Sequence, residues 1–382
     1  MARETEQKTA PAGGKGKKKK SGIGRAIGRF FLRLLLLVLT VAVMAFVGVV
    51  LLCNVVFNGP SPTAREMLTM SMLESSGMKW TPALFIGEEA VAEIQKSVVA
   101  ELPDDLSDTS QVQIITDSSI SGENQEWKDY PDGIRIEEYK GDTYTAHIMI
   151  VRNPAQVYLA TSSDKFSPDV PGARINVQME KEGALAAINA GAFFDDGTSS
   201  SVVGSYPEGL VLSRGKVVWR TGSAPEEGFV GLNNDNILVV AKTMTADKAQ
   251  ELGIRDGCVF GPVLIMNGNI NEEAYNSSSG KNPRTCIGQR ADGAIVFLCI
   301  DGRQANSLGG TYADAIDILV EYGCVNACNL DGGSSSVMYY RDTYGRYGEP
   351  GVVQMINNYS LLQQNPRRMP TFFMVRPAEQ EG

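Results

Sequence analysis

The chain has 382 residues, 43% hydrophobic and 21% charged, with a formal net charge of −9. That is an ordinary globular composition, with room for one large domain plus appendages. The charge is unevenly placed: residues 1–33 carry ten Lys/Arg against two Glu, a net of +8, and the remaining 25 basic and 42 acidic residues leave −17 beyond them. An acidic body lacks the clustered positive charge that phosphate backbones require, so nucleic acid is not an expected partner.

The basic block Lys15–Lys20 (KGKKKK), with Arg25, Arg29 and Arg33, leads into Leu34–Phe57, 24 residues without a charge. At about 1.5 Å per residue these span about 36 Å, more than the roughly 30 Å of a bilayer core. A cleaved signal has a shorter apolar core. No A-x-A site follows, and Cys53 is preceded by Leu52 rather than the small residue of a lipoprotein pattern. The expectation is a basic cytoplasmic tail over 1–33, a retained membrane span over 34–57, and everything beyond it outside the cell membrane. Residues 1–22 read as disordered. The lysine run serves to fix topology, or to meet anionic lipid.

Residues 58–125 read as a helical stalk and linker. Thr63 is placed to cap a helix running to Ser76, and Glu88–Ala100 puts Val91, Ile94 and Val98 on one face. Residues 101–125, rich in Asp, Ser and Thr, read as a loop.

Over 126–382 the pattern changes to short apolar runs between Gly, Asn and Asp: YTAHIMIV, QVYLAT, AAINAGAFF, GLVLSRGKVVW, NILVVA, PVLIMNG and AIVFLCID. SRGK and ADGA read as hairpin turns. One helix interrupts, over Thr311–Tyr322, with Tyr312, Ala313, Ile316, Leu319 and Val320 on one face and Gly323 to end it. The fold class is α+β: a mixed β-sheet domain with a β-α-β crossover, preceded by a single transmembrane helix and a short helical stalk.

Five cysteines, Cys258, Cys286, Cys299, Cys324 and Cys328, follow the span. If Asp292-Gly293 is a two-residue turn, Cys286 lies opposite Cys299 at a spacing that admits a disulfide; a three-residue turn breaks that register. Buried reduced thiols are the alternative.

Two strands end on Asp-Gly: Asp301-Gly302-Arg303 and Asp331-Gly332-Gly333. Carboxylates at strand tips, beside an arginine and a Gly/Ser turn, make a polar site on a rigid frame. Taken singly, each Asp-Gly is also an ordinary Asx turn. Gly332-Gly333, followed by Ser334, is either a backbone nest for an anion or a flexible loop. Asn189 is either a sugar ligand or a left-handed turn residue, and Arg284 either a second anion ligand or half of a surface ion pair. His147, the chain's one histidine, is a packed strand residue or a substrate contact. It cannot build a histidine cage for a metal, and no G-x-S-x-G supports a serine triad. No metal or cofactor site is expected, although calcium held by Asp and carbonyls stays open without an EF-hand.

Arg284-Thr285, Ile287-Gly288, Asp292-Gly293, Asp301-Gly302-Arg303, Gly310 and Asn329-Leu330-Asp331-Gly332-Gly333-Ser334-Ser335, together with INAGAFF from Ile188 and GPVLI from Gly261, resemble the phosphodiester glycosidase family over about 140–376. Ala190 departs from the commoner glycine. The resemblance implies hydrolysis of a sugar-1-phosphodiester in an envelope glycan or exopolysaccharide. In that chemistry Asp331 is base or nucleophile, Asp301 stabilises positive charge or orients water, and Arg303 grips phosphate with its planar fork. A silent glycan-binding protein and a glycosyl transferase are the rival functions.

Overall fold

The structure is a computed structural model. It describes residues 22–73, 78–96, 104–115, 127–167, 169–194, 204–222, 226–359 and 365–378. The basic tail expected to be disordered, and Ser76, Val98 and the acidic stretch 116–125, lie outside these residues. The chain separates into two units, Met1–Val55 and Val56–Gly382.

The described residues of the first unit lie in one helix, α1 (Gly22–Asn58), which continues three residues past it. Its stretch Ile27–Asn58 is long and apolar enough to cross a bilayer, a character it shares with signal sequences. The helix starts well before Leu34, because nothing between Gly22 and Arg33 breaks it.

The second unit opens with helices α2 (Pro62–Leu73) and α3 (Thr81–Lys96). The cap of α2 is Ser61, whose Oγ accepts from the Ala64 N–H at 3.3 Å; the expected cap Thr63 lies inside the helix. α3 begins seven residues earlier than its hydrophobic pattern suggested and kinks at Gly87. Val91 and Ile94 are buried, as expected. Leu106 bridges Ala241, and Ser107 exchanges hydrogen bonds with Val240. Both helices and this segment belong to the same compact unit as the sheets.

Strands follow as β1 (Ile134–Lys140), β2 (Thr145–Val151) and β3 (Val157–Thr161), then α4 (Ile175–Glu182) and β4 (Ala186–Asn189). β5 (Val211–Ser213) to β6 (Lys216–Trp219) and β7 (Glu226–Asn233) to β8 (Leu238–Met244) are hairpins. After them come α5 (Ala246–Glu251), β9 (Ile254–Val259), β10 (Val263–Met266), β11 (Asn269–Ile270) and α6 (Glu272–Asn276). β12 (Arg284–Arg290), β13 (Ile295–Ile300), α7 (Tyr312–Glu321) and β14 (Cys324–Leu330) carry the family motifs, and β15 (Met338–Arg341), β16 (Val353–Met355) and β17 (Thr371–Val375) close the fold.

Three sheets result, ordered β1-β2-β13-β12-β14-β10-β11, β16-β15-β4-β17-β3 and β6-β5-β9-β7-β8. Their inner faces share one core, which takes Met149, Phe297 and Leu330 from the first, Ile188 and Phe373 from the second, and Val230 and Leu238 from the third. The outer faces carry helices: α7 with α6, α4, and α5 respectively. Burial on both faces explains why β13 reads IVFLCI without alternation: Ile295, Phe297 and Cys299 face the shared core, and Val296, Leu298 and Ile300 face α7.

The β-α-β crossover is present, one strand wider than its simplest form. β13 and β14 both pair antiparallel with β12, so they run parallel to each other with β12 between them. α7 carries a capping box, Thr311 with Asp314. Tyr312, Ile316 and Leu319 are buried as read, but Val320 is 50% exposed and Ile318 takes its place.

Asp292-Gly293 does not form a two-residue turn. Arg290 N–H bonds Ala294 O and Gly293 N–H bonds Arg290 O, a three-residue loop with Gly293 at φ 93°. The register therefore pairs Cys299 with Thr285 and Cys286 with Leu298, on opposite faces of the sheet. All six cysteines are free, and burial pushes the Cys286 thiol up to about 12. Non-reducing peptide mapping should find no Cys286–Cys299 link. The thiols after the span should alkylate only once the domain is denatured.

Candidate active site

The pairing register sets Ile300 level with Arg284 and Leu330 level with Thr285, so β13 and β14 leave the central sheet at the same end. Asp301 and Asp331 are the next residues. Their backbones stand two strand spacings apart, about 10 Å. A cavity of about 300 Å³ opens there, lined by Pro283, Asp301, Arg303, Ser334, Ser336 and Tyr359 among others. A larger open groove of about 570 Å³ sits at the far end of the sheet, around Arg135, Glu137, Arg290 and Asp292. Its charges pair off as Arg135–Glu137 and Arg290–Asp292, and Tyr322 donates to Glu137. The strand-tip cavity is the better site.

The two acids differ in surroundings. Asp301 is buried and accepts from three donors: His147 Nε2 at 3.1 Å, the Asn358 N–H at 2.9 Å and Asn358 Nδ2 at 2.7 Å. His147 pairs across to Cys299, which puts it on the inner face directly below Asp301. It packs and orients this carboxylate, and the cavity lining does not include it. Asp331 is half-buried, and the cavity lining reaches its neighbours Gly333 and Ser334 without including it. Desolvation pushes its carboxyl up to about 6, against the downward pull of the Ser335 hydroxyl, Arg367, the Gly332 N–H and Lys79.

Asn189 is neither a turn residue nor an open ligand. It ends β4 paired with Phe372 and is fully buried. Its Nδ2 donates to Asp331 O at 2.5 Å, and its Oδ1 accepts from Thr285 Oγ1 at 2.8 Å and Val337 N–H at 3.1 Å. Asp331 N–H returns a bond to Ala190 O. Ala190 is buried and keeps φ negative, so no glycine is required there. Arg284 likewise is no surface residue. It is buried, lies over the Tyr312 ring at 4.2 Å, and donates to the carbonyls of Gly310, Ser279 and Gly280.

The Gly332-Gly333 nest also gives way. The N–H groups of Gly333, Ser335 and Ser336 bond Pro283 O, Gly332 O and Gly333 O, so these three donors are taken. The cations near the cavity are side chains. Arg303 stands exposed at φ 57°, a strained backbone for a non-glycine residue, and its Nη2 donates to Asn282 Oδ1 at 3.2 Å. Arg367, which sequence reasoning missed, lies over the Phe193 ring at 4.7 Å and reaches Ser334 Oγ at 3.4 Å. Tyr359 donates to Ser334 O at 2.5 Å; burial holds its phenol above the usual range although Arg367 and Arg303 pull it down. The buried Ser336 hydroxyl, which lines the cavity, has no hydrogen-bond partner among the described residues. Arg367 and Asn357-Asn358 sit in segments (NPRRMP, INNYS) that carry no local motif.

The sequence profile of the phosphodiester glycosidase family matches residues 182–376. The chain belongs to that family. This phosphodiester glycosidase domain holds Asn189, Arg284, Asp301, Arg303, Asp331 and Arg367 within the match, and leaves His147 and the N-terminal helices outside it. The SPbeta prophage-derived uncharacterized protein YomE of Bacillus subtilis is 29% identical over 161 residues, 41% of this chain. The chain spans only 24% of that relative's length. Among solved structures, the zebrafish N-acetylglucosamine-1-phosphodiester α-N-acetylglucosaminidase catalytic domain, auto-inhibited by its pro-peptide, aligns at TM-score 0.49 and 21% identity. That alignment covers 66% of this chain and 85% of that one. A putative exported protein of Burkholderia pseudomallei aligns at TM-score 0.43 and 14% identity, over 61% of this chain and 74% of the other.

Asn189→Ala in this phosphodiester glycosidase should cost about 2–4 kcal/mol in urea unfolding. It strands the Thr285 hydroxyl, the Val337 N–H and the Asp331 carbonyl in a dry junction.

Proposed function

We propose that the protein is a hydrolase that cleaves a sugar-1-phosphodiester, such as a GlcNAc-1-phosphodiester, at the C1–O bond. The observation that carries this reading is Asp331: a desolvated carboxyl between two arginine-bearing segments, its pKa pushed up to about 6. At neutral pH such a group is mostly ionised and still basic enough to take a proton from water or to attack C1. A phosphate leaving group needs little protonation, so the remaining demands are positive charge at the phosphate and negative charge near the oxocarbenium. Arg303 and Arg367 meet the first, with Ser334 and Ser336 hydroxyls between them. Asp301, locked by His147 and Asn358, meets the second. The apolar helix α1 anchors the enzyme, with the basic tail in the cytoplasm and the acidic catalytic unit facing a cell-envelope glycan or exopolysaccharide.

Asp331→Asn should lower turnover of a GlcNAc-1-phosphodiester by about 10³-fold, read as release of free sugar. Undiminished turnover would refute the role. Arg367→Ala should raise KM about tenfold with a smaller change in kcat.

The pH dependence has a definite sign. The folded pKa of Asp331 lies above its ordinary 3.8, so kcat/KM should fall on the acid side of about 6. The protonated form is the one folding favours. Its stabilisation is complete below 3.8 and is lost as pH rises through about 6. Asp331→Asn should therefore be more stable than the parent at pH 7, by roughly 1–2 kcal/mol, and this advantage should shrink toward pH 4. Paired denaturation curves at the two pH values check it.

A further inference from the structure

We propose that the second unit lies on the outer surface of the bilayer through Met78, Trp80 and Leu84, an apolar patch at the head of α3 that makes a peripheral membrane contact beside α1. The proposal rests on the reading of α1 as a retained anchor.

The three side chains are 43%, 64% and 71% exposed. Among the described residues of the second unit, no other stretch of seven residues exposes three large hydrophobic side chains. Exposed apolar clusters of this kind mark contact surfaces. Leu84 follows Trp80 by four residues, about one helical turn, so the two share a side. Thr81 N–H bonds Met78 O at 3.0 Å, which winds the preceding turn into the helix. The apolar run stops at the Gly87 kink, beyond which Glu88 and Glu89 are exposed. Lys79 stands exposed inside the patch. Tryptophan beside aliphatic residues and a lysine suits a headgroup-level contact, because the indole is amphipathic and an ammonium meets lipid phosphate.

The neighbouring chain identifies the occupant. Residues 56–58, the last turn of α1, belong to the second unit. Phe57 is fully buried there, its ring stacked on Phe85 at 5.0 Å. Counted from Arg33, a helix leaves the roughly 30 Å hydrocarbon layer about 20 residues on, so Phe57 comes at headgroup level. Trp80 stands five residues before Phe85, about 8 Å of helical rise. Whichever way α3 points, the patch is within reach of a headgroup layer roughly 5–8 Å deep. A soluble partner would have to enter that gap, where lipid already stands.

The contact reaches the site through α2, which packs on α3. α2 also meets the segment that leads into Pro283 of the cavity wall. Ser278 Oγ donates to Glu66 Oε2 at 2.7 Å, and Ser71 Oγ donates to Asn282 Oδ1 at 3.4 Å. Gly280 approaches the helix so closely that a Cβ there would lie 2.8 Å from Met67 O. The Lys79 charge is felt at the Asp331 carboxyl. The strand-tip cavity therefore works close to the membrane surface rather than at the end of a stalk.

The test uses full-length protein in vesicles of phosphatidylcholine and phosphatidylglycerol, with and without phosphatidylcholine brominated near the top of its acyl chains. α1 contains no tryptophan, Trp127 is buried and Trp219 half-buried, so the emission lost in Trp80→Phe reports Trp80. Brominated lipid should quench that difference by about half or more. Met78→Ser with Leu84→Ser should cut the quenching about twofold, while the protein stays with the membrane through an alkaline wash. Trp80 emission that brominated lipid leaves unchanged, in protein that survives the wash, overturns the patch contact and leaves the anchor standing. Quenching undiminished in the double variant overturns it too, since nearness without contact would then suffice. A Lys79 cross-link between two copies, with Trp80 unquenched, overturns it in favour of self-association. A chain found shortened ahead of the second unit defeats the anchor reading instead. The shortened protein added to the same vesicles still decides the patch: quenched Trp80 upholds it, and unquenched Trp80 overturns it.

Discussion

The site depends on the junction that Asn189 makes between two sheets. Its side chain leaves the end of β4 in the second sheet and is held by Asp331 O, Thr285 Oγ1 and the Val337 N–H, while the Asp331 N–H answers to Ala190 O. A carboxylate at a strand tip is ordinarily free to swing. Here the residue that carries it is stitched on both backbone atoms to a neighbouring sheet, inside a core that the three sheets share. Buried polar networks of this kind are costly when partly satisfied and specific when complete. This one fills both acceptor sites and one N–H of the amide, and it fixes where the acid can be.

Two acids on strands of the same sheet then acquire different chemistry from their neighbours. Asp301 receives three donors and is spent on them. Asp331 receives fewer and is dried by its surroundings, so its proton affinity rises. Separation of roles by environment is how a pair of carboxylates divides work in glycoside chemistry. The cations are distributed in the same sense: Arg303 leaves the β13 side of the cavity, and Arg367 reaches Ser334 on the β14 side.

Much of the frame was legible in the sequence, because its causes are local. Unbroken apolar runs such as IVFLCI mark doubly buried strands, Thr311 with Asp314 marks the start of α7, and the Asp-Gly pairs mark strand ends at one edge of the sheet. The reading failed where causes are distant. Asn189 and Arg284 looked like ligands because nothing local shows that their partners are carbonyls and hydroxyls from remote segments. Asp292-Gly293 left two- and three-residue turns open because the extra loop residue, Ala291, has no signature of its own. Arg367 was invisible because its position over Phe193 and beside Ser334 is purely tertiary. The 58–125 region read as a stalk because α2 shows no strong apolar face; it docks through Glu66, Ser71 and backbone atoms.

Three features of the site each run against folding: a desolvated carboxyl at Asp331, a left-handed backbone at Arg303, and a Ser336 hydroxyl without a hydrogen-bond partner among the described residues. Such features persist only where the surroundings over-determine them. Around Arg303 the surroundings are a tight loop. Ser307 Oγ donates to Asp301 O and accepts from the Thr145 N–H, Leu308 N–H bonds Thr143 O, and Arg303 N–H bonds Leu308 O. These bonds tie the loop to itself, to Thr145 of β2, and to Thr143 and Asp301, which flank β2 and β13, the strands that also hold His147 beneath Asp301. The same two strands therefore set the strained arginine, the spent acid and its histidine, which explains how a single Asp-Gly-Arg step can carry both a structural anchor and an exposed cation. The motif's economy lies in that division: Asp301 is buried and held, and Arg303, two residues on, faces outward.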